Sequence, residues 1–470
     1  MASSEMTPYA KTGGLADVVG ALSDILSRRG HKVTVFIPFY HCIPIASSKL
    51  VLQEKVWLGQ RLVTYTVFRI AQRGRVTVYA IRKEEYFDRL HLYGTADHDY
   101  EDNAERFIFF SKAVVHTILS LHIPFDILHT HDWQTALIPI YAKSTLPQTR
   151  TVCTIHNLAY QGIFAAHNFQ LTNLPPHLFS IDGLEFYGQM NLLKGGILFA
   201  DAITTVSRRY AQEIQTPEYG CGLDGVLRLR RNSIQGILNG VDDSVWNPET
   251  DSHLAQTYGA TSLKGKSTCK KALVLELQLS SLGRKPILSI VSRFAQQKGL
   301  DLVLGAMPIM LKKNLRFAIL GNGDSLYEEG LRQWAARHPT QIGLRIGFDE
   351  GLAHRIYAGS DFLLMPSRYE PCGLSQLYAM RYGTIPIARA TGGLEDTIQE
   401  WNPKTRQGTG FKFDKTEVTP LLSALKRALH LYRQPKVFPI LQQNAMKTNF
   451  SWENSVAEYE TLYQSLLSFV

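Results

Sequence analysis

Residues 362–397, FLLMPSRYEPCGLSQLYAMRYGTIPIARATGGLEDT, carry one supersecondary unit written twice. Phe362–Met365 is an apolar run of strand length, stopped by Pro366-Ser367. A loop with Arg368, Glu370, Pro371, Cys372 and Gly373 leads into a helix-like run from Leu374 to Tyr382, with Gly383 as its C-cap. Ile385–Ala388 reads as a second strand, and Thr391-Gly392-Gly393 opens another helix. Successive strand–loop–helix units predict parallel strands, which need such crossovers. Both loops then fall at the carboxyl ends of strands, where ligands bind in open α/β sheets.

The residue types in those loops are informative. Two glycines at a helix start let backbone N–H groups approach a phosphate, and the helix N-terminus favours negative charge. Pro371 biases Glu370 to an extended backbone. A carboxylate there would accept hydrogen bonds from sugar hydroxyls. A capping carboxylate and two turn glycines would give the same letters, so neither loop decides alone. Both together point to a ligand site.

The same alternation runs through the chain. Lys11-Thr12-Gly13-Gly14 precedes a helix whose apolar positions Leu15, Val18, Val19, Leu22 and Leu26 mark one buried face. Lys11 stands just ahead of that N-terminus, a sensible place for a phosphate ligand. Strands are expected at Lys32–Ile37, as a pair across Tyr65–Arg82, and at Phe125–His131, Thr151–Ile155, Ala202–Val206 and Ser233–Leu238. The last four end in Asp132-Trp133, His156-Asn157, Ser207 and Asn239-Gly240, so polar residues collect at one sheet edge. The turn-rich stretch from Gly240 to Pro248 marks a domain boundary.

A second series begins with the strand Pro286–Val291. Arg293 sits at its end, and Lys298-Gly299 opens a helix. Two cations on one strand-to-helix loop suit a diphosphate, and suit a solvated surface equally well. Phe317–Leu320 ends in Gly321-Asn322-Gly323-Asp324, which ordinary turn duty explains. Helix-like segments from Val418 to Tyr432 and from Asn454 to Leu467 close the chain. The expected domains are 1–240, 241–450 and a terminal helix within 451–470.

A chain of 470 residues exceeds one ordinary core and predicts roughly two or three domains. Its 45% hydrophobic and 19% charged residues fit a soluble globular protein. No run approaches the ~18 apolar residues of a membrane span, and no signal peptide is visible at Met1–Pro8. Five cysteines, none in a C-x-x-C pair, fit a reducing, cytoplasmic compartment better than a disulfide framework or zinc site. The net charge of +9 is scattered and accompanies no nucleic-acid motif, so neither nucleic acid nor membrane is an expected partner. Asp97 to Asn103 contains Asp-x-Asp, which holds a divalent metal in some sugar-transferase folds; in a polar loop, helix capping is the better reading. His129 and His131 alternate on one strand without a third ligand and read as a structural pair. No metal is expected.

Three motifs carry a resemblance. EPCGLSQLYAMRYG followed by TGGLEDT, KTGGLADV near the start, and VSRFAQQKGLDL at 291–302 closely resemble the bacterial glycogen synthase and plant starch synthase family. The match covers the chain motif by motif from Lys11 to about Trp452. Many related retaining glycosyltransferases carry a second glutamate eight positions after the first; here that position is Tyr378, as in the glycogen and starch synthase branch. One departure stands out. Family members carry an apolar strand before the Ser-Glu-Met segment, and here only Met1-Ala2-Ser3 precedes Ser4-Glu5-Met6. The first strand is expected to be missing or cut short, and the natural product to be longer at this end. Native protein beginning at Met1 by mass spectrometry would refute that.

The resemblance implies two doubly wound, Rossmann-like α/β domains facing across a deep cleft (the GT-B type), with the last helix crossing back to the N-terminal domain. It implies transfer of glucose from ADP-glucose to the non-reducing end of an α-1,4-glucan with retention of configuration, in glycogen biosynthesis. UDP-glucose as donor, or a plastid starch synthase, are the alternatives. His156, Arg293, Lys298 and Glu370 would be catalytic. Lys11, Gly14, Asn239, Arg293, Lys298, Cys372, Gly373, Leu374, Thr391, Gly392 and Gly393 would bind the nucleotide sugar. Asp17, Tyr100, Asp132 and Trp133 would lie on the acceptor side, although core packing explains Trp133 almost as well. No cofactor is implied.

The physical problem in such a reaction is charge. Negative charge develops on the diphosphate and positive charge on the sugar ring. Arg293, Lys298, Lys11 and the N–H groups near Gly392-Gly393 would stabilise the first. Glu370 would hold the sugar by its hydroxyls, and His156 would orient the ring. No lone carboxylate nucleophile is evident, so the resemblance favours attack on the face the nucleotide leaves. Three rivals remain. A glucan-binding protein would not need the cations, a phosphorylase would need pyridoxal phosphate on a lysine, and a sucrose- or trehalose-type synthase would use a small acceptor.

Overall fold

The computed structural model describes residues 1–70, 76–95, 98–281 and 285–468. Two compact units divide the chain: Met1–Gly240 with Trp452–Val470, and Val241–Ser451.

The first unit is built on strands β1 (Thr34–Pro38), β2 (Ser48–Leu58), β3 (Arg61–Ile70), β4 (Thr77–Arg82), β5 (Ile127–His131) and β6 (Arg150–Ile155). A small antiparallel sheet of β7 (Ile163–Ala165), β8 (Glu185–Phe186) and β9 (Gln189–Asn191) follows, then β10 (Ala202–Thr205) and β11 (Ile234–Gly236). The larger strands lie in the orders β1-β4-β3-β2 and β11-β10-β6-β5. Ala2 joins these two sheets, bridging in parallel to Phe36 of β1 and Thr130 of β5. The first strand, expected to be missing or cut short, is thus present as a stub, fully buried at Ala2. It forms the switch point of this unit, because the chain leaves it towards β1 on one side and β5 on the other. The pair expected across Tyr65–Arg82 is β3 with β4; β2 extends it and was not foreseen, since its outer face alternates irregularly around a bulge between Leu50 and Leu52.

The terminal helix Trp452–Leu467 buries Trp452, Val456 and Tyr459 in one cluster with Val18, Val19 and Leu22 of the helix Gly14–Arg28. Arg29 reinforces the contact with Glu453 and Glu460 at 3.2 and 2.6 Å. Among the described residues no helix is long and apolar enough to cross a membrane.

The second unit holds β12 (Ile287–Val291), β13 (Arg316–Gly321), β14 (Ile342–Ile346), β15 (Phe362–Met365), β16 (Ile385–Arg389) and β17 (Phe411–Phe413). Their spatial order is β14-β13-β12-β15-β16-β17, and every pairing is parallel. Counted from β12 this is 3-2-1-4-5-6, the doubly wound order. β13, β15 and β16 are buried along their whole length, which explains their near-continuous apolar sequence. The switch point lies between β12 and β15. The helix read from Leu374 to Tyr382 spans Ser375–Arg381, and Gly383 closes it at φ 66°.

Two devices brace this unit, the first buried and the second partly so. Lys266, on the helix Lys264–Glu276, sends its ammonium to the carbonyls of Tyr357, Ala358 and Tyr382 at 3.2, 3.0 and 2.9 Å and to Thr384 Oγ1 at 2.8 Å. Burial pulls its pKa down to about 7. Trp246 lies between two rings, parallel to His354 at 3.8 Å and to Tyr378 at 4.0 Å. Asp251 Oδ2 accepts from Tyr382 Oη at 2.5 Å and bonds His354 Nδ1 at 2.7 Å. Tyr378, at the position of the related transferases' second glutamate, is therefore a packing residue.

Candidate active site

The loops that leave β12 and β15 diverge at the switch point of the second unit, and their charged residues meet. Lys298 Nζ donates to both carboxylate oxygens of Glu370, each at 2.7 Å. Ser367, at the end of β15, donates its hydroxyl to Glu370 Oε2 at 2.9 Å. Glu370 is buried, and the Lys298 side chain is 17% exposed. Lys298 was expected on a diphosphate and Glu370 on sugar hydroxyls; in this structure each holds the other. Desolvation makes a lone carboxylate costly here, and the nearest cation on the neighbouring loop neutralises it. Arg293 lies on the same loop as Lys298 and is exposed.

The glycines act by close approach. A β-carbon on Gly392 would lie 2.0 Å from the Glu370 carbonyl, and one on Gly393 would lie 2.0 Å from the Cys372 carbonyl. Gly392 also takes the left-handed φ of 44°. The Gly393 N–H donates to the carbonyls of Glu370 and Pro371 at 3.0 and 3.2 Å. This N–H, expected among the phosphate donors, anchors the Glu370 loop to the helix Gly392–Thr397 in this structure. Thr391 is buried at the N-cap of that helix. Cys372 is buried, Leu374 half-buried, and Gly373 turns at φ 73°. Gln376 ties the loop down through its amide, which donates to the Cys372 and Gly373 carbonyls at 3.0 and 2.8 Å.

In the first unit the glycine loop before Gly14 is also occupied. Glu5 is buried, and its Oε2 accepts the N–H groups of Thr12 and Gly13 at 2.5 and 3.3 Å. Its Oε1 accepts the hydroxyls of Thr12 and Tyr93 at 2.6 and 2.7 Å. A carboxylate of the protein thus sits on the backbone donors just ahead of this helix. Gly14 begins the helix, and Lys11 pairs with Asp17 at 2.8 Å. Glu5 was not singled out, because its partners are fixed by the fold and only the Ser-Glu-Met letters flag it.

At the ends of β5 and β6, Asp132 adopts φ 56° and its Oδ1 accepts the His156 N–H at 2.7 Å. Burial raises the Asp132 carboxyl to about 7 and lowers the His156 imidazole to about 3, so His156 is neutral. His156 Nε2 meets His131 Nδ1 at 3.0 Å, and His131 stacks on His129 at 4.3 Å. His129 bonds Tyr463 Oη and Thr154 Oγ1, as a structural histidine would. No group of three His, Cys, Asp or Glu suited to a metal occurs among the described residues. Asn239 is buried at the edge after β11, and its Oδ1 has no hydrogen-bond partner. Such an orphaned acceptor is costly when buried, and a ligand donor would satisfy it.

Three further residues are placed by their neighbours, and one of them, Asp102, departs from its expected capping role. Trp133 is half-buried and packed: Phe107 and Phe164 meet its ring edge-on at 4.9 and 5.5 Å, and Gly162 lies against its face. Tyr100 carries Arg89 and Arg106 over its ring at 4.7 and 5.0 Å, and its hydroxyl donates to the His91 carbonyl. Asp102 makes no side-chain cap to the helix Asn103–Ser120 and pairs with Arg89 instead; Asp97 lies outside the described residues.

A doubly wound 3-2-1-4-5-6 sheet with a lysine and a carboxylate at its switch point in one unit, and polar groups gathered at strand ends in the other, fit the GT-B class of glycosyltransferases. Residues 1–229 match the starch synthase catalytic domain family, and residues 278–444 match glycosyl transferases group 1. The chain belongs to the glycogen synthase and starch synthase family. It is 44% identical over 489 residues to a glycogen synthase of Thermodesulfovibrio yellowstonii, covering 99% of this chain and 97% of that one. It is 44% identical to one of Koribacter versatilis, covering 98% and 97%. Among solved structures it resembles the catalytic domain of starch synthase IV from Arabidopsis thaliana bound to ADP and acarbose. The TM-score is 0.92 at 34% identity, over 99% of this chain and 98% of that one. Similarity to a sucrose-phosphate synthase from Thermosynechococcus elongatus, at 16% identity and TM-score 0.63, reflects the fold alone.

Proposed function

We propose that this enzyme moves glucose from ADP-glucose to the non-reducing end of an α-1,4-glucan, with retention of configuration, as a cytoplasmic glycogen synthase. The observation that carries the reading is the Lys298–Glu370 pair at the switch point of the second unit. An arriving diphosphate offers Lys298 a more negative partner than one carboxylate. Lys298 then transfers to the leaving group, and Glu370 is released to hold the hydroxyls of the donor glucose. Arg293, with its fixed fork of donors, and Lys11 add charge to the leaving group. The Asn239 carbonyl oxygen accepts from the donor. His156 is uncharged, so it orients the sugar without repelling its developing positive charge. Asp132 fixes the His156 backbone. Attack occurs on the face the nucleotide leaves, and the departing phosphate takes the acceptor's proton.

The ADP held by the similar Arabidopsis starch synthase IV supports an adenine donor over UDP-glucose, and the bacterial relatives support glycogen over starch as product. Labelled-glucose transfer to glycogen with each donor, with and without a chelator, tests the reading. ADP-glucose turnover that survives chelation is expected. Release of free glucose without chain extension would overturn it.

A further inference from the structure

We propose that Tyr187 is an outer contact for the glucan acceptor, a rigid aromatic platform set apart from the reacting groups. The inference rests on the functional reading above. Tyr187 and Gly188 form the two-residue turn between β8 and β9, with φ of 50° and 78°. Such a turn favours asparagine, aspartate or glycine at its first position, because the left-handed backbone crowds a larger side chain. A tyrosine there runs against local preference, and the residue is 81% exposed, so neither backbone fit nor core burial accounts for it.

The turn is held firmly. The Gly188 N–H donates to Glu185 Oε1 at 2.7 Å. Lys194, buried on the helix Leu192–Phe199, donates from Nζ to the carbonyls of Glu185 and Ile181 at 2.6 and 2.7 Å. Phe186 meets the Tyr187 ring edge-on at 4.7 Å. Gly222 lies against both rings; a β-carbon there would come 2.9 Å from Phe186 and 3.6 Å from Tyr187.

The same framework reaches His156. Gln161, five residues beyond His156, donates through Nε2 to the carbonyl of Cys221, next to Gly222. Asn191, at the end of β9, donates to Gln161 Oε1 at 2.6 Å. The Leu193 N–H donates to the Gln161 carbonyl at 3.0 Å. Tyr187 is therefore mounted on the segments that follow the proposed acceptor edge. An exposed tyrosine offers a flat apolar face with a polar tip, which fits the C–H face and hydroxyl rim of a glucose unit.

Tyr187→Asn removes the ring at a position where asparagine tolerates the backbone, and Tyr187→Phe keeps the ring. For Tyr187→Asn the KM for glycogen should rise about threefold to tenfold, the scale of one lost aromatic contact. The KM for the sugar nucleotide should stay constant, the melting temperature should not fall, and Tyr187→Phe should behave as wild type. Electrophoresis through glycogen-containing gels, without donor, should show the same order of retardation. An unchanged glycogen KM and mobility in Tyr187→Asn would overturn the inference, as would a change from monomer to dimer that tracks the ring. If the wild type extends no glucan, the functional reading fails, and the gel still tests Tyr187 alone.

Discussion

Lys298 and Glu370 stand 72 residues apart in sequence, yet the ammonium lies 2.7 Å from both oxygens of the carboxylate. Their strands are neighbours in the sheet, and the pair is buried enough that neither charge is well solvated. Each residue therefore has two duties, one in the structure as it stands and one in the proposed reaction.

Lys298→Ala should lower turnover about 10²–10³-fold, as loss of one preorganised oxyanion donor does. It should also destabilise the second unit, because Glu370 is left buried without its cation. Adding Glu370→Gln should recover part of the melting temperature and none of the turnover. Wild-type turnover in Lys298→Ala would remove Lys298 from the mechanism. Arg293→Lys should also slow the reaction, since a planar fork is replaced by a point charge.

Gly393→Ala places a methyl group 2.0 Å from the Cys372 carbonyl, so the Glu370 loop must move. A loss of about 1–3 kcal/mol in denaturant unfolding is expected. The KM for the sugar nucleotide should rise with it. Gly13→Ala is the control, because nothing lies within 4 Å of its added carbon.

Burial of Asp132 sets the sign of its contribution to stability with pH. Its folded pKa, about 7, lies above the unfolded value of 3.8. Its contribution is complete below about pH 4 and is lost as pH rises through about 7, by roughly 4 kcal/mol at most. Asp132→Asn should flatten that decline in urea midpoints measured from pH 4 to 8. Lys266 works in the opposite sense: its folded pKa of about 7 lies below 10.5, so its contribution is complete above about pH 10.5 and is lost as pH falls through about 7.

Tyr378→Glu would install the acidic residue of related transferases beside Trp246. It should cost stability and confer no gain in turnover, because the position packs a ring at 4.0 Å. Trp246→Ala should cost more, about 3–5 kcal/mol, since both faces of the indole are covered. Thermal unfolding of the two variants checks the order.

Much of the second unit was legible in the sequence. Phe362–Met365 and Ile385–Arg389 are buried on both faces, so their apolar runs are continuous and bounded by turn residues. The helix Val418–Tyr432 shows its buried stripe directly. What stayed hidden depends on distant partners. Glu5 reads as one acidic residue among many until Thr12, Gly13 and Tyr93 converge on it. Trp133 offers the same letters whether its face is open or packed, and only Phe107, Phe164 and Gly162 decide. β2 and the β7–β9 sheet were missed because an exposed or very short strand carries little alternation.

The Lys266 ammonium has a consequence for the far side of this unit. Helices Glu350–Gly359 and Ser375–Arg381 bring their negative dipole ends to one spot, and Lys266 is the counterion that lets them share it. The second of these helices begins just after the loop that holds Glu370. A seven-residue helix is stiff, so it behaves as a short lever pinned at its tail, and the carboxylate's position is set partly from the edge of the sheet opposite to the one where Lys298 meets it.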